Sequence, residues 1–187
     1  EVWGPGWSRR VGVLVPSSRE EMRALAGPEF AVHGIAAVAV ADRVDPTSRR
    51  VEGPRVVLNP DTAAELSDEA LGVVLRHEIT HVATRADTDD RAPMWMLEGF
   101  ADYVAYRGTA AAPAQVAPEL ARAVRAAGPP TRPPQDGDFR QTGRQLDLAY
   151  QQAWSLVDFL AREIGEPKTV ELYRRIAGAG PPESAER

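Results

Sequence analysis

Residues 71–86, LGVVLRHEITHVATRA, contain His77 and His81 four positions apart, with Glu78 directly after the first of them. In a helix, side chains four residues apart lie one above the other, so both imidazoles can bind one metal ion. Glu78 is turned about one helical step from that line, within reach of a water molecule on the metal. The stretch therefore predicts a metal site on one face of a helix.

The chemistry of such a site follows from its ligands. Zinc held by imidazoles or carboxylates, with one open position, lowers the pKa of bound water towards ~7. A carboxylate such as Glu78 can then take the proton as the water attacks a carbonyl carbon. We therefore expect peptide-bond hydrolysis with one Zn²⁺ per chain. The alternative is a surface helix whose two His and Glu are unrelated to a metal.

Composition narrows the class of protein further. The 187 residues are 43% hydrophobic and 26% charged, as expected for one ordinary globular domain. A net charge of -5 disfavours nucleic acid as a partner. The partner implied by the expected hydrolysis is a peptide or protein substrate. The chain has no Cys, so a metal site must use His and carboxylates. No apolar run has transmembrane length, and a start at Glu1 rather than Met is compatible with removal of a leader or anchor.

The residues before the metal helix predict a small sheet. Residues 1–10 are rich in Gly, Trp and Arg and resemble an arm or linker, and His33 is expected in a loop or on the surface. A capping-box pattern that begins at Ser18 predicts a short helix that ends before Gly27. Three apolar runs bounded by turn residues predict strands: 11–15, 35–41 and 55–59. The third strand has two possible roles, an exposed edge that pairs with an extended peptide or a buried core strand.

Ser67 predicts the N-cap of the metal helix, and Leu71, Leu75, Ile79 and Val82 repeat at the spacing of a core-facing stripe. The two His fall on a different stripe. The metal motif is therefore expected in the middle of an amphipathic helix.

A third ligand is sought after His81. A second helix is predicted from Pro93 to about Arg107, and Glu98 lies early on it. Antiparallel packing of the two helices would bring this carboxylate to the metal, and Asp102, one turn later, could then accept a hydrogen bond from a ligand imidazole.

Asp87 is the alternative third ligand, because it follows His81 by six residues. That interval is used when the chain turns sharply after the helix, which normally requires Gly three residues after the second His. Here that position is Thr84, so we favour Glu98.

The last part of the chain is predicted to be mostly helical. Residues 128–137, GPPTRPPQDG, read as a long loop, and residues 179–187 as a flexible tail. Helices are expected over about 117–127, 145–164 and 167–177. We thus expect an α+β, zincin-like domain over residues 11–178: a small mixed β-sheet with helices, a mostly helical C-terminal half and the active site between them.

The segments HEITH (77–81), WMLEGFADY (95–103) and AYQQAWSLVDFL (149–160) resemble the gluzincin metallopeptidases, especially the peptidase MA-like domains of bacteria. The chain is also similar to the catalytic domains of thermolysin-like enzymes and zinc aminopeptidases. The resemblance implies His77, His81 and Glu98 as zinc ligands and Glu78 as general base. It implies that Asp102 orients a ligand His.

Tyr150 opens a helix that resembles the aminopeptidase segment whose Tyr stabilises the oxyanion. The alternative is that Tyr150 only begins the apolar stripe of its helix.

Aminopeptidases also have a Glu on a strand that binds the free amine of the substrate. RVVLN (55–59) has no carboxylate, so we expect an endopeptidase. A second hypothesis is a catalytically inactive, peptidase-like binding module of the cell envelope. Similar bacterial proteins are found outside the cytoplasm, and the resemblance implies the same location for this chain.

Overall fold

A computed structural model describes residues 1–27, 35–45 and 48–178. His33 and the predicted tail over 179–187 lie outside the described residues, so their predicted roles stay predictions. The chain forms two compact units, one over Trp3–Ala86 and one from Asp87 onward. We call them the N-terminal and the C-terminal unit. The expectation of a single domain over 11–178 stays a prediction.

The N-terminal unit is built on a three-stranded sheet and a separate hairpin. The sheet consists of β1 (Gly12–Leu14), β2 (Ala37–Val40) and β5 (Arg55–Leu58), which overlap the three predicted strands. Its order is β1-β5-β2, with β5 parallel to β1 and antiparallel to β2. The hairpin pairs β3 (Arg43–Asp45) with β4 (Arg50–Glu52) and was not predicted from the sequence.

β5 is the central strand of this sheet, which decides between its two predicted roles. It pairs with a neighbour on each side, and Val56 and Val57 have no exposed surface. The edge-strand interpretation of residues 55–59 is therefore wrong. A strand with both neighbours in place has no free main-chain groups to offer an extended peptide.

Two amphipathic helices cover the two faces of this sheet. Helix α1 (Arg19–Ala26) places Met22 against Val57, and helix α3 (Asp68–Thr84) places its predicted core stripe against Val56 and Leu58. Between them lies the short helix α2 (Pro60–Ala63), and a 3-10 turn over Arg85–Asp87 follows α3. Trp7 also packs against the α3 side of the core, so part of the predicted arm is held by the unit.

The N-terminus of α1 differs in one detail from the predicted capping box. Ser18 Oγ accepts from the backbone N–H of Glu21 at 3.1 Å, as predicted. The Glu21 carboxylate, however, accepts from the backbone N–H and the hydroxyl of Ser17 instead of Ser18. These two hydrogen bonds, the backbone one first, lower the pKa of Glu21.

The C-terminal unit is helical in all its regular elements that the structure describes. These are α4 (Met94–Tyr106), α5 (Pro113–Val116), α6 (Pro118–Ala127), a 3-10 turn (Asp138–Arg140), α7 (Arg144–Ile164) and α8 (Glu166–Ile176). Helix α7 is the centre of the unit, since α4, α6 and α8 all pack against it. The predicted α+β class, with a small N-terminal sheet and a helical C-terminal half, is confirmed. Among the described helices, none has the length and apolarity needed to span a bilayer.

Candidate functional site

Helix α3 contains His77, Glu78 and His81, the residues of the predicted metal motif. Ser67 caps the helix, with its Oγ accepting from the Ala70 N–H at 3.2 Å, as the sequence predicted. The apolar stripe of α3 is fixed against the sheet, which leaves the motif side chains on another face. The helix that presents His77 and His81 is thus positioned by its cap and by its core contacts.

His77 and His81 lie side by side, one turn apart. Their Nε2 atoms are 3.0 Å from each other, and their ring centroids are 4.7 Å apart at an interplanar angle of 76°. Zinc–imidazole bonds are about 2.0–2.1 Å long, so one ion could bind both nitrogens with an N–Zn–N angle of about 95°. The pair therefore fits half of a zinc site.

Glu78 follows His77 on the same helix and is partly buried. Its position, one residue after His77, turns the start of its side chain about 100° around the helix from that of His77. That is the relation a general base needs if it acts on a molecule held by the two rings.

The backbone after His81 stays helical. Helix α3 continues through Thr84, and Arg85 keeps right-handed helical angles of φ -53° and ψ -40°. The Thr84 hydroxyl donates to the His81 carbonyl at 3.3 Å, so even the side chain supports the helix at this position. The sharp turn that Asp87 would need as a third ligand is absent.

Glu98, the favoured third ligand, belongs to the C-terminal unit. It lies in α4, is partly buried and is followed one turn later by Asp102, as predicted. Gly99 explains how this part of α4 is held. A Cβ atom there would lie 2.5 Å from the carbonyl oxygen of Ala153, so α4 and α7 meet backbone to backbone beside Glu98.

Tyr150 lies on α7, one turn before that contact with α4. Its ring meets Phe139 edge to face, with centroids 5.3 Å apart. This contact restricts the ring of a partly buried phenol and so favours one direction for its hydroxyl.

Two further tyrosines on α4 have altered acidity. Burial raises the pKa of Tyr103, and its hydrogen bond to Glu166, 3.1 Å long, raises it further. Burial also raises the pKa of Tyr106, with a smaller contribution from the negative charge of Asp102. The Asp102 carboxylate is thus close enough to the phenol of Tyr106, one turn later on α4, to raise its pKa.

The sequence did not reveal a cavity of about 230 Å³ in the N-terminal unit, which His81 borders. Its other walls come from the end of β2 and from the β3–β4 hairpin. The sequence of the hairpin lacks the usual turn signature, so neither the hairpin nor the cavity could be predicted from it. We call this cavity the hairpin cavity.

The comparisons with known proteins gave one match. Residues 14–129, more than half of the chain, match the family described as "Peptidase of plants and bacteria". Neither the curated proteins nor the solved structures gave a match. The matched stretch contains β2 to β5, the helix with the His pair and the helix with Glu98. The chain therefore belongs to the peptidase family of plants and bacteria.

Proposed function

We propose that this protein is a zinc-dependent endopeptidase of the gluzincin type with a zincin-like fold. The observation that carries the proposal is the 3.0 Å separation of the Nε2 atoms of His77 and His81 on a helix of a peptidase-family chain. Two imidazoles so close on one helix face can supply two of the ligands of a single Zn²⁺.

The third ligand in this proposal is Glu98. The helical backbone through Thr84 and Arg85 speaks against Asp87, which needs a turn at that point. Glu98 has the support of a rigid neighbour, because the Gly99–Ala153 contact fixes its stretch of α4 against α7. A ligand on such a braced helix keeps its direction when the metal is exchanged.

The bound zinc would supply Lewis acidity towards the substrate carbonyl and towards a water molecule. Glu78 would accept the proton of the attacking water and pass it to the leaving amine nitrogen. The Tyr150 hydroxyl would donate a hydrogen bond to the developing oxyanion, an interaction that strengthens as negative charge grows. Asp102 would orient a ligand imidazole by accepting its second N–H.

The substrate in this proposal is a peptide or protein chain cut internally. RVVLN (55–59) forms the centre of the sheet and offers no carboxylate for a substrate amine. An α-amino group would therefore find no partner on this strand, whereas an endopeptidase does not require one. Action outside a bacterial cytoplasm stays a prediction.

The test compares Glu78→Gln with Glu69→Gln, a matched change at an exposed glutamate of the same helix. We expect one zinc per chain in the wild type and in both variants by elemental analysis. Cleavage of denatured-protein libraries should fall by roughly 10²–10⁴-fold in Glu78→Gln, since that is the usual contribution of a general base. The Glu69→Gln variant should cleave like the wild type.

The outcome also separates the alternatives. A wild type that holds zinc but cleaves nothing in the library would favour the inactive binding module over the enzyme. Unchanged cleavage by Glu78→Gln would remove Glu78 from the mechanism. Glu98→Ala should lose zinc, and Asp87→Ala should retain it; the reverse result would make Asp87 the third ligand.

A further inference from the structure

The hairpin cavity lies beside one of the two imidazoles of α3. Its walls are formed by Ala39 and Val40 at the end of β2, by His81 and Val82 of α3, and by Val44 and Val51 of the hairpin. Val44 and Val51 are direct cross-strand partners, so their side chains point to the same face of the hairpin. Carboxylates are absent from the described lining. The other described lining residues are Ala26, Ala41, Pro54 and Arg85, so the wall consists mostly of apolar side chains, with the imidazole of His81 and the guanidinium of Arg85 as its two polar groups.

Arg55 holds the walls of this cavity in place. Its Nη1 donates to Asp42 Oδ1 at 2.5 Å and to the Gly53 carbonyl at 3.0 Å, at the two strand ends that form the base of the hairpin. Its Nη2 donates to the Leu25 carbonyl at 3.1 Å, near the end of α1. One guanidinium therefore ties the hairpin to the sheet and to α1. A cavity braced in this way is formed before any ligand arrives, which reduces the entropic cost of binding.

The size of the cavity decides what it can hold. An apolar cavity of about 150 Å³ binds benzene, whereas pockets for drug-sized ligands begin at about 300 Å³. The hairpin cavity, at about 230 Å³, falls between them. It can therefore take one large apolar side chain, such as that of Leu or Phe, but not a whole small-molecule ligand.

We propose that the hairpin cavity receives a large apolar side chain of the substrate, next to the bond that is cut. This inference rests on the proposed peptidase function, because it is the nearness to His81 that connects the cavity with the reaction. Val44 and Val51 are then the residues that set the preference. A basic side chain would lose its hydration here without gaining a carboxylate among the described lining residues. An acidic side chain could pair only with the guanidinium of Arg85, which belongs to the same lining.

The first experiment fills the cavity with Val51→Phe. We expect the zinc-loaded wild type to prefer peptides with Leu or Phe on one side of the scissile bond. In Val51→Phe, kcat/KM for those peptides should fall roughly 10- to 200-fold, the range for apolar groups in a hydrophobic pocket. For a peptide with Ala at that position, kcat/KM should change less than about 2-fold.

The matched control is Val13→Phe, the same substitution on a strand whose Val13 is 45% exposed and does not line the cavity. This variant should have the same kcat/KM as the wild type for the Leu or Phe peptides and for the Ala peptide. Equal losses for Leu, Phe and Ala peptides in Val51→Phe would overturn the assignment, as would a wild type without preference at this position. Thermal melts of both variants show whether each remains folded.

The second experiment does not depend on catalysis. N-acetyl-L-phenylalaninamide is titrated into the wild type while the methyl signals of Val44 and Val51 are followed by NMR. We expect both sets of signals to shift in the wild type and not to respond to N-acetylglycinamide. In Val51→Phe, where only the Val44 methyl groups remain, their signals should stay unchanged. If the zinc-loaded protein cleaves no peptide, the proposed function fails, but shifts in this titration still support an apolar side-chain site. Absence of shifts in the wild type overturns the site itself.

Discussion

Gly99 is the position at which one added methyl group should disturb the C-terminal unit most directly. The change is Gly99→Ala in α4. The new Cβ would lie 2.5 Å from the carbonyl oxygen and 2.7 Å from the carbonyl carbon of Ala153, and 3.0 Å from Val157 Cγ2. Two of these three atoms belong to the backbone of α7, so the clash cannot be relieved by turning a side chain.

The magnitude follows from two opposing effects. Ordinary contact begins at 3.4 Å, so α4 and α7 must separate locally by about 0.9 Å. Overpacking of a well-packed core costs typically 1–3 kcal/mol, and a backbone contact lies towards the upper end of this range. Alanine returns about 1 kcal/mol through its higher helix propensity. We expect a net loss of about 2 kcal/mol, or a melting temperature roughly 4–8 °C lower.

Gly72→Ala is the matched control, because Gly72 also lies inside a helix. Its added Cβ would come no closer than 3.4 Å to any atom, and that atom is Nη1 of the Arg76 side chain. The higher helix propensity of Ala should therefore stabilise the Gly72→Ala protein by almost its full value, about 0.5–1 kcal/mol. The same substitution is thus expected to act in opposite directions at the two positions.

The free energy of unfolding is measured by denaturant titration monitored by circular dichroism, and the melting temperature by calorimetry, both on metal-free protein. Treatment with a chelator matters because any bound metal would add its own stabilisation to each variant. A Gly99→Ala protein as stable as the wild type would refute the close approach of α4 and α7. Equal destabilisation by both substitutions would refute the contact as the cause.

Three further outcomes are expected. Ser67→Ala removes the cap of α3 and should cost about 1 kcal/mol of unfolding free energy, with Ser67→Asp as the control that keeps a capping oxygen; equal losses in both would speak against capping. Tyr150→Phe should lower kcat by roughly 10²–10³-fold without loss of zinc if the phenol serves the oxyanion, whereas a change in melting temperature alone would indicate a packing role. Burial raises the pKa of Tyr103, so the stability that this phenol contributes is complete below the unfolded pKa of about 10 and is lost as pH rises through the folded pKa. In Tyr103→Phe, the urea midpoint should therefore decrease less at alkaline pH than it does in the wild type.

The structure added two features near α3 that sequence patterns could not provide. The β3–β4 hairpin lacks the usual Asn-Gly or Asp-Gly signal, and Arg49 adopts a φ of 53°, which is rare for a residue other than Gly. Arg55 is separated from Asp42 and Leu25 by 13 and 30 residues, and its hydrogen bonds to them exist only after folding. The hairpin cavity depends on both features and was therefore not predicted.

The sequence by itself determined the local elements: the strands near 11–15, 35–41 and 55–59, the cap at Ser67, and the helix that places His77 one turn before His81. These depend on residues only a few positions apart, whose spacing fixes the face they share. Only the tertiary structure decided that β5 is central and that Gly99 lies against Ala153. Strand order and helix contact join residues far apart in the chain, and apolar periodicity shows which face is buried but not what lies against it.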